Sequence, residues 1–130
     1  MKKTGFSLVE IMIAVAIIAL LAAVAVPGLL RARIVANESA TQATLKSIAK
    51  AYELYAAENG GAYPTDETDL TSGTNPYLSR TYDGAVLEGF TYTVTPGSAG
   101  YSIKAMGNPG KTSSVQGYLI TTGAVMSTID

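Results

Sequence analysis

The chain has 130 residues and a formal net charge of −1, which fits one domain and gives no sign of a surface built to neutralise phosphates. It contains neither cysteine nor histidine, which excludes a disulfide framework, a thiolate metal site, a thiol nucleophile and an N-terminal lipidated cysteine. The same absence removes the commonest general base and transition-metal ligand.

In chain order the first segment is Met1-Lys2-Lys3-Thr4-Gly5-Phe6-Ser7-Leu8-Val9-Glu10, followed by an unbroken apolar run, Ile11–Val26, with no further charge until Arg31. Three readings compete: a secretory signal cut at Ala23-Val24-Ala25, a permanent anchor, or a short basic leader removed after Gly5 that leaves the apolar helix on the mature chain. Glu10 discriminates among them. A carboxylate carried to the bilayer centre costs roughly 2.5–3.5 kcal/mol, which serves nothing in a disposable signal or plain anchor. In a helix that must find a neighbour, the cost is offset by an opposite charge on docking, and cleavage after Gly5 would create one, the α-amino group of Phe6. Self-pairing stays open, because residues 6 and 10 are one helical turn apart. As a helix, Phe6 to Leu30 is about 37 Å long, enough to cross a ~30 Å hydrocarbon core with some tilt. Lys2 and Lys3 favour a cytoplasmic start; Arg31 and Arg33 argue weakly the other way and can snorkel to headgroups.

These residues resemble the class III signal of type IV pilins and pseudopilins: Lys2-Lys3-Thr4-Gly5, then Phe6-Ser7-Leu8-Val9-Glu10 and the apolar run, with small residue, aromatic and carboxylate in register. Pro27 stands where that family often has a helix-loosening proline. The resemblance implies a prepilin peptidase that cuts between Gly5 and Phe6 and methylates the new amine of Phe6. It also implies that Glu10 pairs with the Phe6 amine of an adjacent subunit.

No strong breaker follows Pro27-Gly28 until Asn59-Gly60-Gly61, and Leu45, Ile48, Tyr52 and Tyr55 fall at spacings of three, four and three. The pattern predicts one helix from about Phe6 to Glu58, apolar in front and amphipathic behind, with Lys50 near Glu53 on the wetter side. Pro27 inside it removes a backbone hydrogen bond and clashes with the preceding turn, at ~3 kcal/mol or more. With Gly28 it makes either a simple kink or a weak point that stretches when subunits pack, and the resemblance favours the second.

Residues 62 to 85 read as an irregular connection. Asp66, Glu67 and Asp69 there read as a solvated loop rather than a calcium site. Strands are predicted at Phe90–Val94, Tyr101–Met106, Gly117–Thr121 and Ala124–Ser127, with turns at Pro96–Gly100, Gly107-Asn108-Pro109-Gly110 and Thr122-Gly123. Short connections make an antiparallel meander, one face of which would pack on the Leu45, Ile48, Tyr52 and Tyr55 stripe. This α+β arrangement, a long N-terminal helix on a small antiparallel sheet, is also the pilin family's fold. The tyrosines read as core residues, and the Asn37-Glu38-Ser39 glycosylation pattern, placed mid-helix, as chance.

The expected organisation is a leader at 1–5, a transmembrane and filament-core helix at 6–30, and the rear helix plus β head at 31–130. With no phosphate-binding glycine loop, nucleophile elbow or triad, the expected role is structural rather than enzymatic, with no metal or cofactor and no nucleic acid indicated. The expectation is a filament subunit of a type IV pilus, held in the cytoplasmic membrane as a precursor and then extracellular. By resemblance its partners are like subunits, minor pilins, a prepilin peptidase, an assembly ATPase and a platform protein. The alternative is a type II secretion pseudopilin, against which counts the lack of an acidic calcium loop near the C-terminus. A binding module released after Ala25 is the rival from another class.

Overall fold

The computed structural model describes residues 1–130 except Lys3 and Pro109. The expectations that Lys3 belongs to a cytoplasmic leader and Pro109 to the turn after the second predicted strand therefore lie outside the described residues. The elements in order are α1 (Leu8–Glu58), α2 (Thr68–Thr71), β1 (Val86–Leu87), β2 (Phe90–Gly97), β3 (Gly100–Met106), β4 (Gly117–Thr121) and β5 (Val125–Ile129). The chain divides into two compact units, Met1–Arg33 and Ile34–Asp130.

Helix α1 is 51 residues long and runs through Pro27 without a break. It starts at Leu8 rather than about Phe6, because Ser7 takes the N-cap position. The carbonyl of Ser7 accepts the first helical bond from the Ile11 amide at 3.4 Å, and its hydroxyl accepts the Glu10 amide at 3.3 Å. The far end stops at Glu58, as the glycines require. Gly60 and Gly61 take φ of 67° and 91°, which lets the Gly61 amide reach back to the Ala56 carbonyl at 2.7 Å. The Asn59 side chain satisfies the Tyr55 carbonyl at 2.8 Å.

In the unit Ile34–Asp130 the five strands form one antiparallel sheet in the order β1-β2-β3-β4-β5. The four predicted strands are present, although the last begins at Val125 rather than Ala124, which takes φ of 56° in the preceding turn. The two-residue β1 and the single-turn α2 appear within or just after the segment read as irregular. The first predicted turn tightens to Ser98-Ala99, since Gly97 pairs with Gly100. In register, Val94 faces Ile103, Ile103 faces Ile120, and Ala105 lies between Tyr92 and Tyr118. With Phe90 and Tyr101 these side chains turn to the helix, where Leu45, Ile48 and Tyr52 are fully buried. Tyr55 sits at the margin of this core, half-buried, and packs edge-on to Tyr77 with ring centroids 5.7 Å apart. Tyr52 lies against Tyr101 at 4.7 Å.

Candidate assembly and processing site

Among the described residues of the unit Met1–Arg33, none is buried. Large side chains from Phe6 to Leu30 are exposed, with Phe6 at 85%, Leu21 at 66% and Leu30 at 56%. Such a continuous exposed apolar surface is of the kind that lipid or other apolar helices cover. Helix α1 is long and apolar enough to cross a membrane. Arg31 and Arg33, also exposed, follow the apolar stretch.

At the N-terminal end, Thr4 to Ser7 precede the first helical residue and are exposed. The Gly5–Phe6 peptide bond therefore lies in non-helical chain, the form in which a backbone can enter an enzyme's cleft. Thr4, Gly5, Phe6 and Glu10 together line a shallow depression of about 250 Å³. The Glu10 side chain turns back on its own helix start: the Ser7 amide donates to Glu10 Oε2 at 2.7 Å. With the reciprocal Glu10 amide to Ser7 hydroxyl bond, this is a capping box, spelled S-x-x-E at residues 7–10. The structure thus brings Phe6 and Glu10 to one depression, but the own-chain group that holds Glu10 is the amide of Ser7. Pro27 and Gly28 lie further along α1, and an added side chain at Gly28 would meet open space.

Two carboxylates of the rear helix hold the sheet's last connections. Glu53, expected beside Lys50 on the wetter face, accepts the Tyr63 hydroxyl at 2.9 Å, the Tyr101 hydroxyl at 2.9 Å and the Gly123 amide at 2.7 Å. Burial acts to raise its pKa, but these donors outweigh it and hold the carboxyl below its ordinary value. The phenols of Tyr101, through burial and this bond, and of Tyr63, through the bond itself, are pushed up. Glu38, set aside in sequence as part of a chance glycosylation pattern, accepts the Ser114 amide at 2.5 Å and the Ser113 and Ser114 hydroxyls at 2.8 Å each. The backbone bond from Ser114 is the main reason its pKa is lowered. In the connection before β1, Glu67 accepts the Tyr82 and Asp83 amides at 2.7 and 2.9 Å, and Asp83 accepts the Val94 amide at 3.0 Å. Asp66 accepts both the amide and the hydroxyl of Thr68. These acids are thus employed as backbone acceptors that shape the loop.

Sequence reading missed Ser7, Glu38 and Glu53. For Ser7 the signal was present in the S-x-x-E spacing. For the two glutamates the partners lie on distant strands and loops, so no local pattern announces them.

A family model described as "Prokaryotic N-terminal methylation motif" matches residues 1–26. The chain is 43% identical over 68 residues to the type IV wide pilus major component PilA4 of Thermus thermophilus, covering 52% of this chain and 51% of that one. It is 34% identical over 91 residues to the type II secretion system core protein G of Vibrio cholerae, covering 67% of this chain and 62% of that one. The chain therefore spans between about half and two thirds of the length of these relatives. No solved structure matches.

Proposed function

We propose that this chain, whose methylation motif and two relatives support a place in the type IV pilin and pseudopilin family, is the structural subunit of a type IV pilus-like filament. The observation that carries the proposal is the bare apolar helix surface from Phe6 to Leu30, entered through an exposed Gly5–Phe6 bond and a single carboxylate, Glu10. A prepilin peptidase removes residues 1–5 and methylates the amine of Phe6. The segment 6–30 holds the precursor in the cytoplasmic membrane with Lys2 and Lys3 inside, and then leaves lipid for a bundle of like helices. The exchange of one apolar surrounding for another means the run never faces water. Glu10 supplies register: a subunit out of step leaves its carboxylate buried without the Phe6 ammonium of a neighbour, a costly defect. Pro27 and Gly28 provide the place where the helix can extend as subunits pack. The segment 31–130 covers the bundle and faces the outside of the cell. Like subunits, minor pilins, an assembly ATPase and a platform protein are the partners of this role, which is structural rather than catalytic.

The second reading is a pseudopilin, a short secretion piston, and the longer alignment to the type II secretion core protein favours it. Electron microscopy separates the two: surface fibres that vanish on deletion support the pilus, whereas an export defect without fibres supports the pseudopilus. Mass spectrometry of the mature protein should find a chain beginning at methylated Phe6. Glu10→Ala should be trimmed normally yet assemble at least tenfold less, the equivalent of about 1.4 kcal/mol per subunit contact. Normal fibre levels from Glu10→Ala would defeat the register argument.

A further inference from the structure

We infer that Ser7 is a positioning residue for Glu10, setting the carboxylate in one pose before it meets a neighbouring subunit; the inference rests on the filament reading above. Ser7 makes three contacts at the start of α1. Its carbonyl accepts the Ile11 amide at 3.4 Å, its hydroxyl accepts the Glu10 amide at 3.3 Å, and its amide donates to Glu10 Oε2 at 2.7 Å. The first two fix where the helix begins. The third belongs to Glu10 alone, and it depends on the first two because only a chain turning at residue 7 points that amide back at residue 10.

The consequence for assembly follows from the acceptor count of a carboxylate. Glu10 is exposed and sits on a long side chain, so in a free state it samples several rotamers, and docking would have to freeze them. The box freezes them beforehand. It also gives Oε2 a backbone donor, which lessens the charge's need for water when the helix enters an apolar bundle. Oε1 is then left to accept a second donor, and the Phe6 ammonium of an adjacent subunit has the chemistry for it. A carboxylate held in one pose imposes a single axial offset between neighbours; a mobile one would tolerate several.

The test is co-assembly. Each variant is expressed as the full precursor beside the wild-type subunit, and mass spectrometry measures its share of the mature membrane pool and of purified filaments. Ser7→Ala removes the hydroxyl that anchors the box and should lower the filament share about fivefold, the scale of one lost N-cap, with its share of the trimmed pool unchanged. Ser7→Thr keeps the hydroxyl and should restore incorporation. In a Glu10→Gln background, which has no ion pair to prepare, Ser7→Ala should cause no further loss. Wild-type incorporation of Ser7→Ala, or an equal fivefold loss from Ser7→Ala in the Glu10→Gln background, would overturn the inference and leave the filament reading standing. A wild-type chain that forms no filaments would remove both.

Discussion

Glu53 shows how one side chain can fasten a sheet to a helix. Three donors from three separate stretches, Tyr63, Tyr101 and Gly123, converge on its carboxylate. Truncation would leave two phenols and an amide without their acceptor, at about 1–2 kcal/mol, because water reaches part of the site. Glu53→Ala should therefore lower the midpoint of thermal unfolding of the detergent-solubilised chain, read by near-ultraviolet circular dichroism, and Glu53→Gln should lower it less. Protonation has the same sense as truncation. Both Glu53 and Glu38 have folded-state pKa values below the ordinary 4.5, so folding stabilises the ionised forms. That stabilisation is fully present above pH 4.5 and is lost as pH falls through the depressed values. The wild-type unfolding midpoint should drop as pH is lowered below that point, and the Glu53→Gln variant should show a shallower drop. Equal slopes in the two proteins would refute the role given to Glu53.

Element by element, what the sequence revealed depended on whether local pattern or distant contact decided the structure. The body of α1 and the four longer strands follow from apolar spacing, and the stop at Glu58 from Asn59-Gly60-Gly61. The stripe of Leu45, Ile48 and Tyr52 buries as its spacing requires, with Tyr55 at its margin. β1 and α2 were illegible because two and four residues carry no period; the Glu67 carboxylate organises this stretch by accepting amides from Tyr82 and Asp83. The candidate site was legible in its composition, from Gly5 through Glu10, and illegible in its internal bonding. Within the helix–sheet core, Tyr52 gives a test that separates packing from polarity. Its ring is fully buried against Tyr101, but its hydroxyl has no hydrogen-bond partner among the described residues. Tyr52→Ala should destabilise by about 3–5 kcal/mol through the cavity it opens. Tyr52→Phe, which removes only the unpaired hydroxyl, should be neutral or slightly stabilising. Denaturant titration of both variants checks this, and a loss above about 1 kcal/mol for Tyr52→Phe would point to a hydroxyl partner in solution.

At the scale of the whole molecule, two solvents are written into one chain. Among the described residues, the apolar core from Leu45 to Ile120 lies in the unit Ile34–Asp130, and none of it comes from the unit Met1–Arg33. Hydrophobic burial therefore stabilises the second unit, whereas the first presents its Ile, Leu and Val exposed. The expected outcome is a division of behaviour on truncation. A chain beginning at Ile34 keeps the helix stripe, the sheet and both glutamate fasteners, so it should be a soluble monomer by size-exclusion chromatography. It should unfold cooperatively within a few degrees of the full chain, because a helix of this length held by tertiary packing does not depend on its distant N-cap. The full chain should pellet with membranes and need detergent to come free. A truncated chain that is unfolded, or a full chain that is monodisperse in plain buffer, would contradict the assignment of a water-stable core to one unit and a bundle- or lipid-stable helix to the other.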